Sequence, residues 1–560
     1  MKLYPNVPHR STYTHVIGKY WYKNALIYST HVESFLDSNG DGIGDFIGMT
    51  RSLDYLAGLG VTCIWLLPFF PTPNRDHGYD IADYLNVDPR YGTLGHFVEF
   101  LDAAEERGIR VIIDLVLNHT SIDHPWFQEA RKNKNSKYRK YYIWLDEKPE
   151  NSHEDVIFGH HQDGNWEYDK KAGQYYYHTF YGHQADLNIT NPDVQNEIRY
   201  ILHFWLKLGI SGFRMDAVPH MIKNKGNEKF SGDPYDFLKD TRAFIEDLRK
   251  DAILLAEVDT EPEKYEEFFG NGDQVQMLFN FYMNNHIFLA LARKAAEPIE
   301  RALKKLPQTS LKEQMGTFIR NHDELDLERL TDAEREEVYA AFAPEKDMRI
   351  YGRGIRRRLA PMLSNDRRRL ELVYSLLFSL PGTPVLRYGD EIGMGEDLSL
   401  PERNSVRTTM QWSREPHGGF SAFKDKKLPL PVITDGEFGY ENANVHDQMR
   451  NPQSLLNWFE RIIVARKECV EFGWGSKEVI KTNNPAVLAH GCKWKNGYAF
   501  AVHNFSDQEV AIVLELNKEQ TEHIIEYFAD REYDSYPDMR KQMIVGPYGY
   551  RWFRKSSLFL

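Results

Sequence analysis

Short apolar segments recur along the chain with helix-like patterns between them, and this alternation limits the folds available. The apolar segments span residues 25–28, 61–67, 111–117, 212–218, 253–258 and 384–386. Segments that are apolar on both faces are typical of strands buried inside a parallel sheet. Between two of them lies one apolar stripe at helical spacing, formed by Ile198, Ile201, Leu202, Trp205 and Leu208. Such alternation predicts an α/β fold, either a (β/α)8 barrel or a doubly wound sheet.

Polar and ionisable residues stand at the carboxyl ends of several of these segments. They lie at 114–119, at Arg214 and Asp216, at Glu257, and at 321–323. This is the end at which (β/α)8 enzymes carry their catalytic groups. A doubly wound nucleotide-binding sheet requires instead a glycine-rich turn after its first strand, and the sequence has none there. The pattern therefore favours an α/β fold of the (β/α)8 TIM barrel class.

The chain length predicts more than one domain, since 560 residues exceed a core of ordinary size. Residues 120–189 interrupt the alternation after the third strand and predict an inserted excursion domain that walls one side of the site. Beyond about residue 470, short alternating segments with little helical pattern between them predict a C-terminal β-sandwich over 471–560. The barrel is assigned to 1–119 and 190–470.

Charge and cysteine content exclude several classes of partner. A net charge of −13 argues against nucleic-acid binding, which needs a basic surface. The first 24 residues lack the apolar core of a signal peptide, and no run of 18 apolar residues occurs, so no membrane association is expected. The three cysteines, Cys63, Cys469 and Cys492, lack metal-ligand spacing and are too few for a disulfide framework. We expect a cytoplasmic protein, and the oligomeric state stays open.

Two carboxylates on neighbouring predicted strands carry the strongest chemical signal. Arg214 and Asp216 are two positions apart on one strand, so their side chains share a face. A guanidinium beside a carboxylate keeps it ionised, as a nucleophile requires. Glu257 ends the next apolar run, where partial burial raises a carboxyl pKa toward that of a general acid. Retaining glycosidases need such a pair about 5 Å apart, which adjacent strands can supply. Taken singly, each motif could also be a buried ion pair or a strand-end cap.

Four regions of the sequence resemble the signature regions of the α-amylase clan of retaining glycoside hydrolases. They are residues 114–119, residues 212–216, Glu257 in its apolar strand, and residues 318–323. The resemblance implies a (β/α)8 barrel in which Asp216 is the nucleophile, Glu257 the acid/base and Asp323 a third carboxylate that helps to distort the sugar. It also implies that the bound glucose is held by Asp76, Tyr79, His119, Arg214 and His322.

Within the clan, further segments resemble the trehalose synthase family, whose members interconvert maltose and trehalose. These segments are residues 118–121, 124–127, 321–325, 378–385, 388–395 and 410–412. The resemblance implies an isomerase acting on a small α-glucoside by intramolecular transglucosylation. It also implies that Arg407 lines the glucose pocket, in a loop that helps to enclose the released glucose.

The sequence departs from the trehalose synthase pattern at several positions around the predicted site. The departures are His77, Ala185, Lys223, Val258, Asp259, Ser405 and Thr409. His77 stands where that family has an acidic residue, and Lys223 stands where it has a calcium-ligating glutamate. The changes at 77, 185, 258 and 259 bear on the acceptor side. Lys223 resembles the lysine of oligosaccharide α-glucosidases and disfavours a second calcium site between barrel and excursion domain, and the changes at 405 and 409 lie in the loop at 403–412 that would enclose the glucose. An α-glucosidase or a transglucosidase acting on short α-glucosides is therefore the alternative function. A binding protein that has lost catalysis is disfavoured because all three carboxylates are present.

A loop at residues 37–45 alternates oxygen-bearing side chains with glycines, a spacing suited to a hard cation. It resembles the metal loop of the α-glucosidase branch of the clan. That resemblance implies a structural Ca²⁺ bound by Asp37, Asn39, Asp41, Asp45 and the Ile43 carbonyl. An Asp/Gly turn without metal is the alternative.

Overall fold

The computed structural model describes residues 18–154, 156–158, 162–223, 232–424, 427–534 and 542–555. Its centre is a closed barrel of eight parallel strands, each paired with its neighbours in chain order. The strands are β1 (Ile27–Thr30), β2 (Cys63–Leu66), β3 (Arg110–Leu115), β4 (Gly212–Met215), β5 (Ile253–Ala256), β6 (Met277–Phe279), β7 (Gln314–Phe318) and β8 (Thr383–Arg387). The predicted (β/α)8 barrel is confirmed.

Burial on both faces explains why the apolar segments form these strands. Nearly every residue of the eight strands is buried, so no alternation of polar and apolar residues is needed. The first residue of β4, Gly212, has no side chain, and the space requires this. A Cβ atom at this position would lie 2.3 Å from the Ile253 carbonyl oxygen of β5. The sequence analysis missed β6, whose three residues lie between Gln276 and Asn280 and are too few to form a recognisable apolar run.

Most helices pack around the barrel by one buried face, whereas Phe281–Arg293 is buried over nearly its whole length and Pro125–Lys132 belongs to the segment after β3. Those of eight or more residues are Leu94–Glu106, Pro125–Lys132, Pro192–Leu208, Asp236–Leu248, Phe281–Arg293, Glu297–Lys305, Asp332–Phe342, Arg367–Ser379 and Leu455–Glu468. Helix Pro192–Leu208 shows how the sequence sets its ends: Asn191 caps it by accepting from the Asp193 N–H, and Gly209 ends it in the left-handed conformation. Its predicted stripe faces the barrel, where the Trp205 indole donates to the Tyr84 carbonyl at 2.8 Å.

Within the segment between β3 and β4, residues 119–186 form a small structure of short strands and helix Pro125–Lys132 over one side of the barrel's carboxyl end. His119–Ser121 pairs antiparallel with Gln184–Asp186, so the segment leaves and re-enters the barrel at one place. Trp144–Leu145, Gln174–Tyr177 and Trp166–Asp169 form a second, three-stranded sheet. The boundaries assigned from sequence, 120–189 for this domain and 471 for the next, stay predictions.

Two antiparallel sheets follow the barrel and enclose an apolar cluster of their own. The larger contains β9 (Ser476–Ile480), β10 (Val487–Trp494), β11 (Gly497–Asn504), β13 (Ile524–Ala529) and β15 (Tyr550–Lys555), and the smaller contains β12 (Val510–Ile512) and β14 (Met543–Val545). This agrees with the predicted C-terminal β-sandwich. All three cysteines are buried and unpaired. Among the described residues, every helix is too short or too polar to cross a lipid bilayer.

Candidate active site

The two predicted catalytic carboxylates follow β4 and β5, at the carboxyl end of the barrel. Met215 and Ala256 are paired in the parallel register, so Asp216 and Glu257 come next on neighbouring strands. The Glu257 N–H donates to the Met215 carbonyl at 2.9 Å, which extends the pairing to the acid itself. Both side chains line a cavity of about 540 Å³ that opens between the barrel and the excursion domain. Strand order therefore brings the pair together.

Arg214 lies beneath the cavity and contacts three carboxylates. Its Nη1 is 2.7 Å from Asp216 Oδ1 and 2.8 Å from Asp114 Oδ1, and its Nη2 is 2.6 Å from Glu257 Oε2. The prediction that Arg214 and Asp216 share a face is thus confirmed. One positive charge cannot balance three clustered carboxylates. We therefore expect one of the three carboxyl groups to be protonated at neutral pH.

Burial decides which carboxyl group holds that proton. Burial raises the pKa of Glu257 to about 7, against the opposing influence of Arg214, so this group is suited to donate a proton near neutrality. Burial also raises the pKa of Asp216 to about 6, with Arg214 again opposing and Asp114 adding repulsion. Arg214 therefore limits the rise in the Asp216 pKa without lowering it below its usual range, because the guanidinium is shared. Above that pKa, Asp216 is ionised.

The third predicted carboxylate, Asp323, has a different environment. Its Oδ1 lies 3.1 Å from Arg403 Nη1 and 2.7 Å from Arg407 Nη2, and its Oδ2 lies 3.4 Å from His322 Nε2. Burial alone would raise its pKa, but Arg403, His322 and Arg407 together hold the pKa of Asp323 well below its usual range. Asp323 therefore stays ionised beside the pair, as a group that accepts hydrogen bonds from sugar hydroxyls should.

The residues predicted to hold glucose converge on the same cavity. Tyr79 and His322 stack with ring centroids 5.6 Å apart, and the Tyr79 hydroxyl lies 2.6 Å from His322 Nε2. His119 Nε2 contacts the Tyr79 carbonyl at 3.0 Å, and Asp76 accepts from Gln184 Nε2 at 2.9 Å. Asp76, Tyr79 and His119 line the cavity directly. Every predicted catalytic or sugar-binding residue therefore lies at the cavity or contacts a residue that does.

The structure places further residues at the cavity. The excursion domain contributes Phe158 and Phe180, and the loops after β7 and β8 contribute Arg353 and Arg403. The sequence predicts that the excursion domain and the loop at 403–412 enclose the site, but the aromatic share of 13% indicates neither which rings are used nor where they lie. Asp114 lies in the first signature region, which by itself predicts no role for it, yet it contacts Arg214 and receives the Tyr79 hydroxyl at 3.1 Å.

Backbone strain marks the residue after Asp216, the predicted nucleophile. Ala217 has a φ of 47°, in the left-handed region that non-glycine residues rarely adopt. Its N–H donates to Glu257 Oε2 at 3.2 Å. The unusual conformation thus aims a main-chain donor at the acid, and such strain is commonly retained at functional sites.

Several departures from the trehalose synthase pattern occupy specific contacts in the structure. His77 Nδ1 lies 2.9 Å from Glu33 Oε1, and the other oxygen of this carboxylate receives the Tyr91 hydroxyl at 3.0 Å. Asp259 lies 3.0 Å from the Arg329 Nε at the outer wall of the cavity, where Lys223 is also found. Ala185, Ser405 and Thr409 are buried. Of these positions, Lys223 and Asp259 therefore line the cavity, whereas His77 contacts Glu33.

The loop at 37–45 is folded by its own aspartates. Asp37 Oδ1 accepts the N–H groups of Asn39 and Gly40 at 3.0 and 2.7 Å, and Asp45 caps helix Phe46–Arg51 by accepting from Gly48. The candidate metal ligands of this loop are all oxygen atoms, the ligand type that Ca²⁺ prefers. In the described part of the chain, the acidic set with ligand atoms within 4.8 Å of one another is Asp259, Asp326 and Glu328, not this loop. A cation here would therefore also need the Asn39 and main-chain oxygens.

The arrangement can carry out a double displacement at a sugar carbon, with an ionised carboxylate, a protonated carboxyl and a third, permanently charged carboxylate around one cavity. Residues 27–343 and 355–475 match the family described as alpha amylase, catalytic domain, and residues 497–554 match the sucrose hydrolase-like, C-terminal domain. The chain belongs to the α-amylase family.

Three relatives of this α-amylase family chain illustrate its similarity. It is 40% identical over 551 residues to a trehalose synthase of Pimelobacter sp., covering 96% of each chain. It is 43% identical over 545 residues to a trehalose synthase of Thermus thermophilus, covering 95% of this chain but only 55% of that protein's length. Among solved structures, the α-amylase from H. orenii superposes with a TM-score of 0.76 at 28% identity, covering 95% of this chain and all of the other.

Proposed function

We propose that this protein is a trehalose synthase-like isomerase that interconverts maltose and trehalose by retaining, intramolecular transglucosylation. The observation that carries the proposal is the placement of Asp216 and Glu257 on adjacent strands with one shared guanidinium, Arg214. Among the activities of the α-amylase family, isomerisation of maltose is supported by two relatives named trehalose synthase, which are 40–43% identical to this chain over most of its length.

The first chemical step forms a covalent bond to the protein. The Glu257 carboxylic acid donates its proton to the glycosidic oxygen of maltose while the Asp216 carboxylate attacks the anomeric carbon. The bond to the departing glucose breaks as the bond to Asp216 forms. Asp323 accepts hydrogen bonds from the ring hydroxyls and, being ionised, stabilises the positive charge that develops on the sugar.

The second step returns the glucosyl group to the sugar just released. The freed glucose turns so that its anomeric hydroxyl faces the intermediate, and the Glu257 carboxylate removes that proton. The hydroxyl oxygen then displaces Asp216, which gives an α,α-1,1 linkage and restores the protonated acid. If water takes the place of that hydroxyl, the product is free glucose, so the outcome depends on how well the cavity retains sugar and excludes water.

The alternative function is an α-glucosidase or transglucosidase on short α-glucosides. It is favoured by the charged outer wall of the cavity, where Asp259, Asp326, Glu328 and Lys264 lie beyond the catalytic pair. Charged groups hold water well, and water near the intermediate favours hydrolysis.

Product analysis distinguishes the two. Wild-type protein is incubated separately with maltose and with trehalose, in the presence of ¹³C-labelled free glucose, and the disaccharides and glucose are quantified. We expect trehalose from maltose with appreciable glucose as by-product, and little label in the trehalose because the released sugar stays enclosed. If maltose yields only glucose at every temperature and concentration, the protein is an α-glucosidase. Heavy labelling of the trehalose would indicate intermolecular transfer.

We also propose that the 37–45 loop binds Ca²⁺ through Asp37, Asn39, Asp41, Asp45 and the Ile43 carbonyl. The support is the donor chemistry, since these groups offer only oxygens. When bound, the cation would hold together the turn between β1 and the helix that Asp45 caps. The proposal concerns stability, because the loop does not line the cavity.

A further inference from the structure

Three arginine side chains are buried near the carboxyl ends of β7 and β8, outside the catalytic cavity. Arg320 comes two residues after β7, Arg387 is the last residue of β8, and Arg358 lies between them in the chain. Each residue is at most 2% exposed, and the lining of the cavity includes none of them. A buried guanidinium group is unfavourable unless both its hydrogen-bond donors and its charge have partners.

Shared hydrogen bonds place the three guanidinium groups next to one another. Arg358 Nε and Arg387 Nη2 both donate to the Val406 carbonyl, the former at 3.4 Å. Arg320 Nε donates to the carbonyl of Arg357, the residue before Arg358, at 2.8 Å. Burial lowers the pKa of Arg320 to about 10 and that of Arg387 to about 9, and repulsion from Arg358 contributes to both shifts. The three residues, Arg320, Arg358 and Arg387, are here called the arginine cluster, and all of them stay charged at neutral pH.

One donor atom of each guanidinium group has no hydrogen-bond partner among the residues that the structure describes. These atoms are Arg320 Nη1, Arg358 Nη1 and Arg387 Nε, and each is shielded from solvent. The six other guanidinium nitrogens donate to main-chain carbonyl groups. Carbonyl oxygens satisfy hydrogen-bond donors but bring no net negative charge, so the charge of the cluster has to be balanced by other groups.

The carboxylate groups beside the cluster do not balance its charge. Within the described ranges, Asp390 is the one carboxylate paired with a guanidinium of the cluster, and its Oδ1 lies 3.9 Å from Arg358 Nη1. The next residue, Glu391, accepts instead from the hydroxyls of Tyr28 and Tyr55 at 2.7 Å, and burial raises the pKa of Glu391 to about 7. The cluster therefore has three positive charges beside one carboxylate, or beside two when Glu391 is counted.

The other acidic residues nearby are each matched by an arginine outside the cluster. These pairs are Asp323 with Arg407, Glu324 with Arg403 and Glu396 with Arg357, each at 2.7 Å. They add no net charge, so at least one positive charge of the cluster is not balanced by protein groups. Water bound to the three unpaired donors would satisfy their hydrogen bonds but not that charge.

We propose that the arginine cluster binds a small monovalent anion, such as chloride, through Arg320 Nη1, Arg358 Nη1 and Arg387 Nε. Such an anion accepts hydrogen bonds from all three donors and supplies the negative charge that the surrounding carboxylates do not. Hydrogen bonds between ionised groups are stronger than those between neutral ones. The site lies apart from the cavity, and it does not depend on whether the enzyme isomerises or hydrolyses its substrate.

The cluster also supports the main chain around Asp323. Arg320 Nη2 donates to the Asp323 carbonyl at 2.7 Å, and Arg387 Nη1 donates to the Asn321 carbonyl. Both arginines are positioning residues, since they contact the backbone of this segment and not the cavity. An anion that relieves repulsion within the cluster therefore stabilises the position of Asp323, so we expect it to raise both the melting temperature and kcat.

The test uses the full chain, dialysed into sodium methanesulfonate to remove chloride and then titrated with sodium chloride at constant ionic strength. The melting temperature and kcat on p-nitrophenyl α-glucoside are measured, and crystals soaked in sodium bromide are examined by anomalous diffraction. In the wild type we expect 100 mM chloride to raise the melting temperature by about 3 °C and kcat by roughly threefold. Bromide should give an anomalous peak between the three guanidinium groups.

Two variants at one position separate the charge of the cluster from its shape. Arg358→Gln removes one positive charge, and the chloride-induced rise in melting temperature should fall to about a third or less, whereas Arg358→Lys keeps the charge and should retain about half or more. The control is Arg466→Gln, since Arg466 is also buried and donates to the Cys469 and Gly382 carbonyls at 3.1 and 2.7 Å. It should lower the melting temperature and leave the response to chloride unchanged.

The site is refuted if bromide gives no anomalous peak at the cluster, which would mean that water alone occupies it, or if Arg358→Gln keeps the full chloride response. Its role in positioning Asp323 is refuted if kcat does not respond to chloride. If Arg358→Gln does not fold, the bromide peak in wild-type crystals and the response of Arg358→Lys decide the question. A wild-type protein that makes no trehalose would refute the isomerase function and leave the anion site standing.

Discussion

At the residue scale, Arg214 influences which of three neighbouring carboxyl groups is protonated. Its guanidinium reaches Asp114, Asp216 and Glu257 from beneath the cavity, where Asp114 and Asp216 are buried and the Glu257 side chain is 23% exposed. Because one cation serves three anions, the most weakly stabilised carboxyl group stays protonated. Glu257 has that position, with its pKa raised by burial to about 7. The acid and the nucleophile thus differ in protonation because their surroundings differ.

Asp216→Asn tests the nucleophile. The amide cannot form the covalent intermediate, so we expect kcat on maltose to fall by about 10⁴-fold or more while the fold is retained. The matched control is Asp251→Asn, which removes an aspartate that pairs with Arg110 at 2.7 Å near the start of β5. Activity and circular dichroism are measured for both. A folded Asp216→Asn protein with near-normal activity would disprove the assignment.

The pH dependence follows from the same two groups. Activity requires Asp216 ionised and Glu257 protonated, so kcat/KM should fall below a pH of about 6 and again above about 7, where these pKa values lie. In Glu257→Gln, measured on an aryl glucoside that needs little proton donation, the alkaline limb should disappear and the loss in glycosylation rate should be smaller than on maltose. Equal losses on both substrates, with the alkaline limb kept, would argue against Glu257 as the acid.

At the scale of elements, the loop at 37–45 after β1 is held in shape by hydrogen bonds from its own aspartates. Asp37 and Asp41 accept main-chain N–H groups within the loop, and Asp45 caps the next helix. The turn can therefore hold its shape by hydrogen bonds alone, and a bound cation would add to this stability.

Removing and restoring calcium tests whether a bound cation stabilises this loop. We expect 1 mM CaCl₂ to raise the melting temperature of chelator-treated protein by on the order of 3 °C, because a ligand that binds only the folded state stabilises it. In Asp41→Asn, which replaces an exposed charged oxygen ligand with an amide, the shift should be at most half as large. The control is Ser399→Ala, in a different polar turn where the Ser399 hydroxyl and N–H donate to Asp397 Oδ1 at 2.6 and 3.0 Å. An unchanged melting temperature in the wild type would contradict the calcium proposal.

For the whole molecule, the joint between barrel and C-terminal sheets contains two buried histidines. His490 and His503 stack with centroids 5.7 Å apart, and His503 Nε2 lies 2.9 Å from the hydroxyl of Ser375 in a barrel helix. The Trp552 indole donates to the same hydroxyl at 2.9 Å. Burial lowers the pKa of His490 to about 3, so the folded joint holds it neutral.

Acid should therefore loosen this joint. Below the ordinary histidine pKa of about 6.5, the histidine binds a proton in the unfolded chain but stays neutral in the folded state. Each such histidine therefore reduces the free energy of unfolding by about 1.4 kcal/mol for every pH unit of further acidification. We expect the melting temperature to fall between pH 7.5 and pH 5, and to fall less in His490→Gln. The control is His446→Gln, whose side chain is 47% exposed. Equal slopes for wild type and His490→Gln would refute the role of this residue.

Local pattern accounts for the parts of the molecule that could be predicted. The apolar runs identified most barrel strands because strands buried on both faces need no partner information to be recognised. Adjacent strands in chain order then made Asp216 and Glu257 neighbours without further assumptions. Strand β6 escaped notice because its three residues carry too little pattern, and its neighbours Gln276 and Asn280 are polar.

The sequence by itself thus determined the barrel and the order of its strands, and it predicted the catalytic pair and the segments that enclose the site, since these depend on periodicity, on which strand follows which and on the resemblance. Only the tertiary structure decided which side chains meet at the rim of the cavity and how the protons of the site are distributed. Phe158, Tyr351 and Arg403 meet across hundreds of residues of chain, and no local pattern records such a meeting. The raised pKa of Asp216 likewise depends on how many carboxylates share Arg214 and on how deeply they are buried, which are properties of the assembled fold.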